Sequence, residues 1–295
     1  MRIVPASVRS GVGASLALAL AFASAAGASP QAATPARSAG KTGSVRVEYL
    51  PPKDPRHREL ADSVRQRRVL ERFAEVLSPV RLPKPLTLSF QGCDGESNAW
   101  YSPAKGKVIF CYEYVADLAR IAKPAAEKGI DADEAREGAM AFVLLHETSH
   151  ALFDILAVPL LGQEEDAADQ VAGWMLLRAG RDVAHRALRA AAWMYLSEAR
   201  ARTTDESDLA DVHGLNAQRY YNVLCLAYGS DAEFFGGIVH KGYLPADRAE
   251  GCEEEWQQVN YAAKALLLKH VDAATAARVR ERYQKRWGEK LKGTR

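Results

Sequence analysis

The chain has 295 residues, 48% hydrophobic and 26% charged, with 21 Gly and 13 Pro. That balance excludes a disordered, collagen-like or multi-span membrane protein and suffices for one large domain or two packed ones. With 39 Lys and Arg against 37 Asp and Glu, net charge +2, there is no global basic field for nucleic acid.

Residues 1–28 read as a signal peptide. Arg2 and Arg9 form the positive start, 12–22 is apolar, and Ala26-Gly27-Ala28 supplies small residues for a cut after Ala28. Without Arg2 and Arg9, basic and acidic residues balance. No later stretch reaches spanning length; the longest apolar run, 138–145, meets His146 and Glu147. The expected product is exported, periplasmic or secreted, with no stable membrane insertion after signal cleavage. Residues 29–44, rich in Ala, Pro, Ser, Thr and Gly, read as a flexible linker.

An α/β subdomain is expected over 45–112. Val45, Val47 and Tyr49 alternate with Arg46 and Glu48 as in a half-buried strand, and Pro51-Pro52 ends it. Leu60, Val64, Leu70, Phe73 and Leu77 predict one helix over 58–77. Leu86, Leu88 and Phe90 alternate again, and the runs 98–101 and 107–112 flank a Pro103 to Gly106 hairpin loop. The sheet is expected to be small and antiparallel. Over 113–295 helical spacing dominates, with helices predicted near 114–122, 133–157, 164–179, 182–201 and 215–227 and more after Glu233. The basic end, 278–295, reads as a solvated helix face.

Cys93, Cys111, Cys225 and Cys252 are even in number and lack CxxC spacing, which disfavours a zinc ribbon or a redox motif and suits disulfides in an exported protein. Pairing Cys93 with Cys111 and Cys225 with Cys252 would tie together two local units.

Chemistry concentrates at His146-Glu147-x-x-His150, inside an apolar helical pattern. Helical residues four apart share a face, so both imidazoles can address one ion, and Glu147, one residue round, can take a proton from a metal-activated water. By residue frequency the motif occurs about 0.01 times per chain by chance, so its surroundings decide. Catalytic Zn²⁺ takes three protein ligands. The acidic run after Gly162 offers Glu165 as the third, with Glu164 in reserve, and Asp169 to hold the outer N–H of a histidine ligand from the second shell. Acids in a first helical turn also favour the helix dipole. His213 is a candidate oxyanion donor, with Arg219, Tyr220 and Tyr221 competing for that role.

His146-Glu147-x-x-His150 followed by Glu165-x-x-Ala168-Asp169 resembles the gluzincin metallopeptidases, in which a glutamate from an E-x-x-x-D helix completes the zinc site. More closely, three blocks resemble an uncharacterised family of secreted bacterial metallopeptidase-like proteins. They are Cys93 to Glu113 with Asn98-Ala99-Trp100-Tyr101, the zinc block, and Gln218-Arg219-Tyr220-Tyr221-Asn222 through Cys225 to Cys252. The resemblance implies a zincin-like α+β fold: a small sheet, an active-site helix, then a mainly helical C-terminal half. The function expected is zinc-dependent hydrolysis of peptide bonds in a peptide or protein substrate. A cell-wall peptide or amide hydrolase and a zincin-shaped, non-catalytic binding module are the alternatives.

Overall fold

The computed structural model describes residues 43–292. The signal peptide expected at 1–28 and the linker as far as residue 42 lie outside the described residues. Strand β1 (Val45–Tyr49) is followed by α1 (Arg58–Gln66), α2 (Val69–Leu77), β2 (Leu86–Gln91), β3 (Ala99–Ser102) and β4 (Lys107–Cys111). The rest is helical: α3 (Tyr112–Ala122), α4 (Ala132–Ile155), α5 (Glu164–Arg178), α6 (Arg181–Ala201), α7 (Glu206–Leu209), α8 (Asn216–Ser230) and three single turns, α9 (Ala232–Phe235), α10 (Gly237–His240) and α11 (Ala246–Ala249). Helices α12 (Cys252–Leu267) and α13 (Ala273–Lys292) complete the α+β chain.

Two expectations are corrected. The sheet, in the order β1-β2-β4-β3, is mixed. Only β3 and β4 are antiparallel, closing through Pro103–Lys105 and a left-handed Gly106; β1 runs parallel to β2, and β2 parallel to β4. Alternation within a strand reports which face is buried and carries no information about its neighbour's direction. Here a helical crossover, α1 and α2, returns the chain so that β2 lies parallel to β1. The helix expected over 58–77 is two helices, broken where Arg68 takes φ 53°. Val64 and Leu70 are six residues apart, so in one continuous helix they would point about 120° apart. The break lets both α1 and α2 bury their apolar faces in the same core.

Leu88 pairs in register with Val108 and Phe90 with Phe110, and all four are fully buried. Phe90 also stacks on Tyr112 at 5.9 Å. Beneath this sheet runs α4, buried along most of its length, its first turn capped by Asp131, whose carboxylate accepts from Glu134 N–H. Helices α4 and α6 pack so closely at Gly138 that a Cβ there would lie 2.6 Å from the Ala190 Cβ. At the other end, Gly162 (φ 94°) completes the turn into α5.

Cys93 pairs with Cys111 and Cys225 with Cys252. The first pair closes the loop after β2, where the buried Glu113 carboxylate accepts from Cys93 N–H and Gly95 N–H. The chain end returns to the N-terminal part: Arg81 N–H donates to His270 O, and Arg282 meets Glu75 at 2.9 Å. That portion of the basic terminal segment therefore engages α2, where solvent alone was expected.

Candidate metal centre

Residues 146–150 lie in the middle of α4, and the buried helix gives the two imidazoles little freedom. His146 and His150 approach through their Nε2 atoms, 3.2 Å apart. From α5, Glu165 brings Oε2 to 3.0 Å from His146 Nε2 and 3.4 Å from His150 Nε2. The Nδ1 side of each ring is occupied: His146 Nδ1–H donates to Asp169 Oδ1 at 2.8 Å, and His150 Nδ1–H to Glu164 Oε1 at 2.8 Å. Because Glu165 and Asp169 are one helical turn apart, they bracket the His146 ring, one carboxylate at each nitrogen. The acidic first turn of α5 thus does more than complement the helix dipole.

His213, from the loop before α8, repeats the pattern. Its Nδ1–H donates to Asp211 Oδ1 at 2.8 Å and its Nε2 lies 3.0 Å from Glu165 Oε2. Three imidazoles therefore turn Nε2 toward one carboxylate oxygen and Nδ1 toward an acid of their own. The sequence reading put Glu165 first as the third ligand with Glu164 in reserve, gave Glu164 no part as a partner of His150, and had no place for Asp211. Proximity to a histidine two residues on, in Asp211-Val212-His213, was the available signal for the latter.

Asp169 is held from the other side as well. Arg219 donates to both its oxygens, at 2.7 and 2.8 Å, and Tyr195 O–H donates at 3.0 Å, with the guanidinium 4.4 Å over the Tyr195 ring. Arg219, a competitor for the oxyanion role in the sequence reading, also lines the cleft described below and uses its Nε and Nη2 on Asp169. Tyr220 donates to Tyr243 O at 3.3 Å and packs against Tyr221, and neither tyrosine lines that cleft.

The electrostatics follow from burial and pairing. Burial disfavours ionised Asp169, but the Arg219 and His146 hydrogen bonds outweigh it and hold the carboxyl well below the usual range. Glu165 is likewise held low, against burial, by the three imidazoles. Burial works to lower His150, yet Glu165 and Glu164 raise it to about 9. Glu147, only 7% exposed, is pushed up by burial, and the Tyr101 N–H of β3 faces its carboxylate.

A cleft of about 380 Å³ opens over these groups, with Trp100 and Tyr101 of β3 on one side and Met194, Tyr195 and Glu198 of α6 on another. Glu147 lines it between the edge strand and the histidines.

The ligand atoms of His146, His150 and Glu165 lie within 4.8 Å of one another. Two imidazole nitrogens and a carboxylate oxygen suit a divalent ion such as zinc, and the Nδ1 partners are those that orient ligating histidines. Among the described residues Cys93, Cys111 and Glu113 also cluster, but the sulfurs are bonded to each other and the carboxylate is filled by N–H groups. That group serves as a structural clasp.

Two histidines one turn apart and an acid from the next helix thus make a candidate metal-binding group, with the buried Glu147 carboxylate beside them. Residues 49–267 match the family described as "Putative metallopeptidase", and the chain belongs to that family. No curated protein and no solved structure matches the chain.

Proposed function

We propose that the protein is an exported, zinc-dependent metallopeptidase with a zincin-like fold. The reading rests above all on one observation: His146, His150 and Glu165 converge on a point beside buried Glu147, under the edge strand of the sheet. His146, His150 and Glu165 would hold the ion. When bound, zinc supplies Lewis acidity, polarising the scissile carbonyl and lowering the pKa of a water. Glu147 takes the proton of the attacking water and delivers it to the leaving amine nitrogen; its raised pKa suits both transfers. His213, as the imidazolium that Glu165 and Asp211 favour, would donate from Nε2 to the carbonyl oxygen as negative charge develops there. Asp169 and Glu164 keep the Nε2 faces of His146 and His150 turned inward.

An extended peptide can add to the free edge of β3, which brings its backbone past Glu147. Protein, free peptide and cell-wall peptide all present such bonds. Export is supported by the two disulfide pairs, and no described helix is long and apolar enough to cross a membrane.

The test is metal analysis of the purified protein with a peptidase assay before and after chelation. About one zinc per chain is expected, with cleavage lost on chelation and restored by zinc, and stoichiometric binding abolished by His146→Ala, His150→Ala or Glu165→Ala. A protein that holds zinc yet cleaves neither a broad peptide library nor peptidoglycan would instead be a binding module.

A further inference from the structure

The cleft wall opposite β3 carries a carboxylate that the proposed chemistry leaves unused. Glu198 sits on α6 one turn beyond Met194 and Tyr195, and all three line the cleft. Among the described residues Glu198 has no hydrogen bond and no ion pair. The cation whose field reaches it, Arg219, turns its Nε and Nη2 to Asp169 and makes no hydrogen bond or ion pair with Glu198. Nearby Asp117, which repels it, is itself bonded to Ser97 and Arg120. Burial pushes the Glu198 carboxyl up to about 7, against the pull of Arg219. A partly desolvated acid without a partner is costly, and helix α6 could have carried an apolar residue there.

We propose that Glu198 is a specificity-determining residue that receives a cationic group, ammonium or guanidinium, of the peptide substrate. The proposal rests on the peptidase reading above and names the class of peptide that the same cleft prefers. The neighbouring surfaces fit: Trp100, Tyr114 and Met194 line the cleft and offer apolar area for the aliphatic stem of a lysine or arginine side chain. A substrate's amino end would supply the same ammonium without the stem.

The test uses the mature protein and peptides that differ at one scanned position, carrying Lys, Arg, norleucine or Glu, each with a free or an acetylated amino end. Binding is read by fluorescence anisotropy on Glu147→Gln protein, which does not turn the peptide over. The expected result is that Lys or Arg peptides bind about 10- to 100-fold more tightly than norleucine peptides, and that adding Glu198→Gln removes this difference. Unchanged norleucine binding and an unchanged melting curve show that the fold is intact. Preference for Lys or Arg over norleucine assigns the cation to the side chain, and norleucine peptides that bind more tightly with a free than with an acetylated amino end, a difference removed by Glu198→Gln, assign it to the amino end. Binding that depends neither on Lys or Arg at the scanned position nor on a free amino end, no binding of any peptide, or a preference indifferent to Glu198→Gln overturns the proposal. Cleavage by the wild-type protein is measured separately. Selective binding without cleavage would sink the peptidase reading and leave the cation site standing, whereas cleavage indifferent both to Lys at the scanned position and to acetylation of the amino end would do the reverse.

Discussion

At the scale of single residues the site separates holding a metal from moving a proton. Glu147 touches none of the three converging Nε2 atoms, so Glu147→Gln should keep both fold and zinc. Loss of its proton transfer should lower peptide cleavage by roughly 10²- to 10⁴-fold. Kinetics on a fluorogenic peptide, alongside zinc content of the same preparation, checks both halves; loss of zinc would make Glu147 structural. Asp169 has a different dependence, because it serves His146 and Arg219 at once. Asp169→Asn keeps the shape but leaves a buried guanidinium without its counter-charge. Stability should fall by about 3 kcal/mol, and zinc affinity by roughly 10- to 100-fold, through the loosened His146 ring. Denaturant unfolding and a competitive zinc titration read the two effects. Unaltered zinc affinity would mean that Tyr195 and packing suffice to orient His146.

At the scale of elements, the spacing of α4 and α6 sets the width of the cleft, since α4 carries Glu147 and α6 carries Tyr195 and Glu198. Gly138 is where they touch, with Ala187 Cα at 3.2 Å and Ala190 Cβ at 2.6 Å from a modest methyl placed there. Gly138→Ala should cost about 1–3 kcal/mol by overpacking, despite the better helix propensity of alanine. Ala190→Gly in the same chain should recover part of it. Thermal unfolding of the two single variants and the pair supplies the coupling, and strict additivity would deny the contact. The elements also show where periodicity stops informing. Helices 133–157 and 164–179 were legible because apolar residues at helical spacing are bounded by Asp131 and by Pro159 with Gly162. The break at Arg68 was not, since three- and six-residue intervals fit either one helix or two until the core chooses. Strand direction was equally hidden, because β1 and β2 alternate identically whichever way they run.

At the scale of the whole molecule the two disulfides tie separate regions: the loop after β2 to β4, and α8 to the start of α12. Peptide mapping without reduction should recover Cys93 with Cys111 and Cys225 with Cys252. Replacing either pair by serine should cost about 2–4 kcal/mol, mostly by freeing the unfolded chain. Four alkylatable thiols in protein from an oxidising compartment would contradict the pairing. Much about this protein was determined by sequence alone: the α+β class, the helical C-terminal half and the His146, Glu147, His150 constellation, while the cysteine pairing was one of three possible and the structure selects it. The features determined by sequence are local, within one helix face or a few tens of residues, where spacing translates directly into direction. Tertiary structure alone decided the rest. That Glu164 serves His150, that Asp211 serves His213, that Arg219 bonds Asp169 and that Glu198 faces the same cleft are meetings across α4, α5, α6 and α8. Such meetings depend on how helices stack, and the spacing of residues along any one helix holds no record of its neighbour.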